Sequence, residues 1–179
     1  MIISVDELKS LLPEFASKPD ALIESKLTAI EVMIRKYTNN NFQNRNIRFI
    51  APSSLGNYLI GKSPYIKIGD TVQVSESLVN DGLYVVDMIK EDKIRVKESK
   101  HLFATGHNMV TKIEYPEDLK AGVVNLMKWE FTNRDKVGYK QETISRHTVT
   151  YFDQDANNQV MGFPVSLLGF LEPYKKARF

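Results

Sequence analysis

The residues of this chain that could do chemistry are few and scattered. The three histidines, His101, His107 and His147, form neither an HxxxH nor an HExxH pattern, and there is no cysteine, so no spacing marks out a zinc site. Asp153, Asp155 and Asn157 begin like a calcium loop, in which alternate side-chain oxygens converge on the ion. The sixth position is Asn158 where the sharp turn needs glycine, and the twelfth is Pro164 where a bidentate glutamate belongs, so a solvated turn is the expectation. No GxGxxG or GxSxG occurs; residues 56–63, GNYLIGKS, have GxxxxGKS spacing but lie in the alternating segment with no helix pattern after them, so Gly56, Gly61 and Gly69 are not expected to form a phosphate cradle. No nucleophile is paired with a base by spacing. Acid and base residues need not be sequence neighbours, so this disfavours an enzyme by absence only. The expectation is a protein without catalytic residues, metal or cofactor.

Two other sets of residues could carry binding. Tyr58, Tyr65, Tyr84 and Phe103 could stack on nucleic-acid bases, but residues 43–115 hold ten Lys and Arg against eight Asp and Glu, interspersed along the segment. That resembles a solvated face more than a phosphate track, and the aromatics read more readily as core. Glu130 is the second. It projects from the middle of an apolar helical stripe, where an unpaired carboxylate is costly, so it is expected to meet a cation such as Arg35 or to lie where the stripe runs out to solvent.

The element that positions Glu130 is the clearest helix of the sequence, Tyr115 to Arg134. Pro116 suits its first turn, and Glu117 and Asp118 place negative charge at the positive end of the helix dipole. Leu119, Val123, Leu126 and Met127 share one face, with Gly122 beside them as a place for another backbone to approach. Trp129 and Phe131 flank that face, which makes the stripe wider than one neighbouring helix needs. Earlier in the chain, Ser4 and Glu7 have capping-box spacing ahead of Val5, Leu8, Leu11 and Leu12, and Pro13 ends that short helix. Ser17 and Asp20 repeat the arrangement before a second helix with Ile23, Leu27, Ile30, Ile34 and Tyr37 on one seam, stopped at Thr38-Asn39-Asn40-Asn41.

Between these helices the period changes to two. Tyr65–Ile68, Thr71–Val74 and Lys93–Lys97 alternate like half-buried strands, and Gly69-Asp70, Asn80-Asp81-Gly82 and Glu91-Asp92 supply turns at hairpin-like intervals. Five or six antiparallel strands closing into an SH3-like or similar small barrel are expected. After Arg134, Val137–Ser145 is polar, His147–Phe152 alternates like a strand, and Asp153–Gln159 reads as a polar loop. Leu167, Leu168, Phe170 and Leu171 suggest a short terminal helix stopped by Pro173. The predicted fold is α+β: a small bundle of two to four helices from 1–42 and 116–179, with an inserted antiparallel β-barrel-like module at 43–115.

Composition neither adds to nor subtracts from this. Charged residues are 26% and the net charge is +2, too little to imply a nucleic-acid or membrane surface unless it is local. The absence of cysteine fits a reducing compartment, and neither a signal-peptide pattern nor an apolar run of membrane-spanning length occurs. A soluble protein with no membrane partner is the expectation.

The ends of the chain carry a resemblance. ALIESKLTAIEVMIRKYTNNNF near the start, EDLKAGVVNLMKWEF in the central helix, and ISRHTVTYFD followed by GFPVSLLGFLEPYKKARF at the end resemble the head-to-tail connector proteins of tailed bacteriophages, also called head completion or adaptor proteins. The resemblance covers roughly the first 42 and last 64 residues and leaves the β segment as an insertion. It rests on the order of these features, since no one motif is diagnostic. It implies a non-enzymatic virion protein at the head–tail interface, present in the host cytoplasm during assembly. Such a protein forms a homo-oligomeric ring on the portal protein, completes the DNA-filled head and offers a surface to a tail-side completion protein. DNA would pass through the ring without specific binding, which suits the near-neutral charge. On that basis Tyr174, Lys175, Lys176, Arg178 and Phe179 are expected to form a portal-docking tail. Leu119, Val123, Leu126, Met127, Trp129 and Glu130 are expected at a subunit interface or in the helical core, and Tyr151, Asp153 and Asp155 in a loop toward a neighbour or the channel. The alternative is a stand-alone nucleic-acid- or partner-binding small β-barrel protein.

Overall fold

Ser4 does cap the first helix, its hydroxyl accepting from the Glu7 amide at 3.1 Å, and the helix α1 runs Val5–Leu11 until Pro13 opens a 3-10 turn, Pro13–Phe15. Here the computed structural model describes residues 1–97, 101–134, 141–144, 147–150 and 158–177, with 141–144 and 147–150 as backbone. The second helix, α2, spans Asp20–Thr38 but is not opened by a Ser17 capping box. Pro19, extended at φ −61° and ψ 132°, is its N-cap, and the Asp20 carboxylate pairs with Lys9 of α1 instead. Its end follows the sequence: Asn39 takes the left-handed conformation, φ 50°, that Asn tolerates better than most residues. The third helix, α3, spans Glu117–Asn133, with Pro116 just outside it as N-cap.

The chain divides into two units, Met1–Asn40 with Tyr115–Phe179, and Asn41–Glu114. The expected joints lay at 42/43 and 115/116. Within the first unit α3 packs on α2 and on two 3-10 turns near the C-terminus, Val165–Leu167 and Gly169–Tyr174. Ile23, Leu27, Ile30 and Ile34 of α2 and Leu119, Val123, Leu126 and Met127 of α3 are all buried, as their spacing predicts. Leu11, grouped by spacing with the core face of α1, is exposed, while Leu8 and Leu12 are buried. The expected terminal helix is the pair of 3-10 turns, and Pro173 lies inside the second rather than ending it.

The second unit is an antiparallel sheet of β1 (Gln43–Ala51), β2 (Ser53–Gly56), β3 (Tyr58–Ile60), β4 (Thr71–Ser75), β5 (Gly82–Lys90), β6 (Lys93–Val96), β7 (Leu102–Thr105) and β8 (Asn108–Ile113). Their order is β1-β8-β4-β5-β6-β3-β2-β7. Eight strands replace the expected five or six because two long ones are each interrupted: Pro52, which has no N–H to give a ladder, separates β1 from β2, and Gly106-His107 separates β7 from β8. Opposite the break the register carries on, with Ala51 facing Asn108 and Ser54 facing Thr105. Leu59, Val72, Val74, Val86, Ile94 and Val110 are fully buried in the core of this unit.

Tyr65–Ile68, read as a strand from its alternation, is not one. The Asp70 carboxylate takes the Lys67 amide at 2.7 Å and the Ser63 carbonyl takes the Ile66 amide, so local turns consume the groups a ladder would use. Only Ile66 of that run is buried.

The sequence did not mark the strand β9, Gln141–Ile144, which pairs antiparallel with β10, His147–Thr150. Of the expected strand His147–Phe152, residues 151 and 152 lie outside the described residues. A further short pair, β11 (Gln159–Val160) and β12 (Phe163–Pro164), follows. Among the described residues no helix is long and apolar enough to cross a membrane.

Candidate functional site

The wide stripe of α3 is covered within its own unit. Leu119, Val123, Leu126 and Met127 are core residues and the flanks find ring partners: Trp129 packs at 5.3 Å on Phe163, and Phe131 meets Phe15 edge-on at 4.9 Å. A stripe wider than one neighbouring helix needs is therefore met by folding two chain segments against opposite flanks of one helix. Gly122 is approached by a side chain and not by a backbone, because a Cβ there would collide with the Phe170 ring.

Glu130 is only 7% exposed, so it does not reach the edge of the stripe, and its cations are Lys26 and Arg134 rather than Arg35. Lys26 Nζ donates to Oε1 at 2.7 Å, and Arg134 Nε and Nη2 donate to Oε2 at 2.9 and 2.6 Å. Burial pushes the carboxyl pKa up, but the hydrogen bonds from Arg134 and Lys26, with their charges, outweigh it and hold it below the ordinary 4.5. Arg134 also donates to the Gly162 carbonyl at 2.8 Å and lies over the rings of Trp129 and Phe163 at 5.2 and 5.0 Å. Its position four residues after Glu130 was a signal available in the sequence.

Beside this ion triad α2 and the C-terminal segment leave a groove of about 420 Å3. Val32, Met33, Met161 and Phe163 are among its apolar lining, with Lys26 and Arg134 on its polar side. Nothing in the sequence pointed to it, because Met161 reaches α2 only through the tertiary fold.

The expected docking tail is folded onto its own unit as far as it is described. The Tyr174 hydroxyl donates to both Asp118 carboxylate oxygens at 2.6 and 2.7 Å, near the start of α3, and that bond raises its pKa. Asn40 donates to the Tyr174 carbonyl at 3.2 Å, the Lys176 amide to the Thr38 carbonyl at 2.8 Å, and Asn39 to the Ala177 carbonyl at 2.9 Å. Lys175 Nζ bonds Glu172 at 2.7 Å and sits 4.2 Å from the Tyr37 ring centre. The segment therefore orders on the end of α2 without a partner, and the asparagines that stop α2 also hold it. Arg178 and Phe179 lie outside the described residues, as do Tyr151, Asp153 and Asp155.

In the β unit the four aromatics divide. Tyr84 is core, its hydroxyl bonding the Asn80 carbonyl at 2.8 Å, and Tyr58 is half-buried with Lys93 at 5.0 Å from its ring centre. Tyr65 and Phe103 are 65% and 67% exposed. Asn80, read as a turn residue, is buried at the centre of a polar network. Its Nδ2 reaches Ser54 Oγ at 3.0 Å and the Phe103 carbonyl at 2.9 Å, and its Oδ1 accepts from the Phe103 amide at 2.8 Å. The side-chain amide thus pairs with Phe103 as a strand neighbour would.

Among the described residues no three His, Asp or Glu side chains are grouped to hold a metal ion. No protein-family model matches this chain, and no curated protein matches it.

Proposed function

We propose that the chain is a head-to-tail connector of a tailed bacteriophage, a non-enzymatic virion protein that forms a ring on the portal, completes the filled head and presents a surface to the next tail component. One observation carries the reading. Three of the four stretches that resemble that family, in the first 42 and last 64 residues, are α2, α3 and the C-terminal segment, and these are built into one unit, joined by Phe170 on Gly122, Tyr174 on Asp118 and Lys176 on Thr38. An order of features that resembles the family therefore corresponds to one packed body. Portal attachment on this reading uses a preformed surface at the end of α2, where the side chains of Lys175 and Lys176 are exposed.

The β unit is read as a small closed barrel. β1 with β2 and β7 with β8 act as two long strands whose pairing runs from Gln43 opposite Ile113 to Gly56 opposite Leu102, while the remaining pairings run β8-β4-β5-β6-β3-β2 and return to the first. A closed sheet leaves no edge to aggregate during assembly.

Electron microscopy of the purified protein mixed with portal tests the function. A ring stacked on the portal is expected; the absence of any complex at saturating protein overturns it. Alone, the chain is expected to be monomeric or weakly associated at micromolar concentration, so that rings form mainly on the portal, and sedimentation analysis checks this. A second reading, a nucleic-acid-binding barrel, draws on the exposure of Tyr65 and Phe103. Strongly salt-dependent DNA binding by the isolated chain would favour it.

A further inference from the structure

The β unit holds an apolar knob out in solvent. Leu78 is 95% exposed, Val79 beside it is also exposed, and Leu78 has a φ of 69°, a left-handed conformation that non-glycine residues seldom adopt. Such strain persists only where the surroundings over-determine it. Here they do: the Ser77 amide and hydroxyl donate to Asp81 Oδ1 at 2.9 and 2.8 Å, and the Asn80 amide donates to Ser77 Oγ at 2.8 Å. The Asn80 side chain is anchored on Ser54 and Phe103. The loop is therefore ordered before it meets anything, and binding through it forfeits little further entropy.

The helical unit holds an exposed apolar groove, lined by Val32 and Met161, 43% and 54% exposed. On its polar side two cations, Lys26 and Arg134, share the one carboxylate of Glu130, which leaves net positive charge there. On the knob, two residues before Leu78, the Glu76 side chain is 64% exposed, with His107 Nε2 at 3.5 Å. An apolar knob beside an acidic side chain and an apolar groove beside two cations thus lie on two different surfaces of the same chain.

Resting on the ring reading for its occupant, we propose that Leu78 and Val79 of one copy seat in the Val32–Met161 groove of a second copy, with Glu76 turned toward Lys26 and Arg134. Knob and groove are different surfaces, so the contact is heterologous: each copy gives one and receives one, the arrangement that closes into a ring when the rotation allows. This assigns the β insertion the task of joining neighbours.

The chain has no cysteine, so single-cysteine variants report the contact directly. A mixture of Leu78→Cys and Val32→Cys proteins at high concentration under mild oxidation is expected to form the mixed disulfide on the order of tenfold faster than a mixture of Leu11→Cys and Val32→Cys, since docking raises the local thiol concentration. Leu11 is an exposed apolar residue of α1 that does not line the groove. All three positions are exposed, and circular dichroism of each variant checks that the fold is kept. Equal rates for the two mixtures, or no disulfide in either, overturns the interface. A portal-bound ring in which both pairs cross-link alike would leave the connector reading standing and remove this contact. Selective cross-linking by a chain that does not bind portal would do the reverse.

Discussion

Glu130 is tolerated in an apolar stripe because two cations meet it there, and that sets what its loss should do. Glu130→Ala leaves Lys26 and Arg134 without their acceptor; both reach solvent, so the cost falls below that of a fully buried pair, about 2–3 kcal/mol by urea unfolding. The folded carboxyl binds its proton more weakly than the unfolded one, so the unfolded chain takes up more protons as pH falls. Stability from this site is present above about pH 4.5 and is lost as pH falls through the lower folded value; Glu130→Gln should flatten that part of an acid-unfolding profile. Gly122 offers a second residue-level test. Ala would gain about 1 kcal/mol of helix propensity, but its Cβ collides with the Phe170 ring, and overpacking costs about 1–3 kcal/mol. Gly122→Ala should therefore destabilise the wild type and stabilise a Phe170→Ala background, a sign change that a double-mutant cycle of unfolding energies reads directly.

At the level of elements, the end of α2 and the C-terminal segment form one structure. Removing residues 172–179 takes away the donor to Thr38 and the acceptors of Asn39 and Asn40, bonds worth about 2 kcal/mol together, so the melting temperature should fall by roughly 4–8 °C with helical circular dichroism kept. An unchanged melting curve would mean the segment is not held as described. In the β unit, Asn80→Ala removes at a stroke both bonds to Phe103 and the bond to Ser54, all in buried or half-buried surroundings. It should cost about 2–4 kcal/mol by denaturant unfolding and release the loop that presents Leu78. Asn80→Asp keeps the acceptor for the Phe103 amide but buries a carboxylate against the Phe103 carbonyl, so it should cost at least as much.

For the whole molecule, the question is whether the two units stand alone. Each has its own buried core, and the chain leaves the helical unit at Asn40 and returns to it at Tyr115. Replacing residues 41–114 by a short Gly-Ser joint should leave the helical circular dichroism and a cooperative melt, while residues 41–114 expressed alone should fold as a β protein. Loss of helical signal in the deleted chain would show that the insertion supports the helical core.

What the sequence determined by itself is local or periodic: three helices with their buried seams, Ser4 as a cap, the Asn39 stop, the turns at Asn80-Asp81-Gly82 and Glu91-Asp92, and an α+β division with the strands in the middle. These depend on i to i+4 spacing, alternation and side-chain-to-backbone bonds within a few residues, all of which a linear reading contains. Alternation misled at Tyr65–Ile68, where a turn at Asp70 consumed the backbone groups, and the polar composition of Gln141–Ile144 hid β9, whose partner among the described residues is β10. Only the tertiary structure decided the pairing of Glu130 with Lys26, the cover over Trp129 and Phe131, the ring seated on Gly122, and the binding of residues 174–177 to the end of α2. Each of these joins residues far apart in the chain, and many partners satisfy a carboxylate or an apolar flank equally well until packing leaves one within reach.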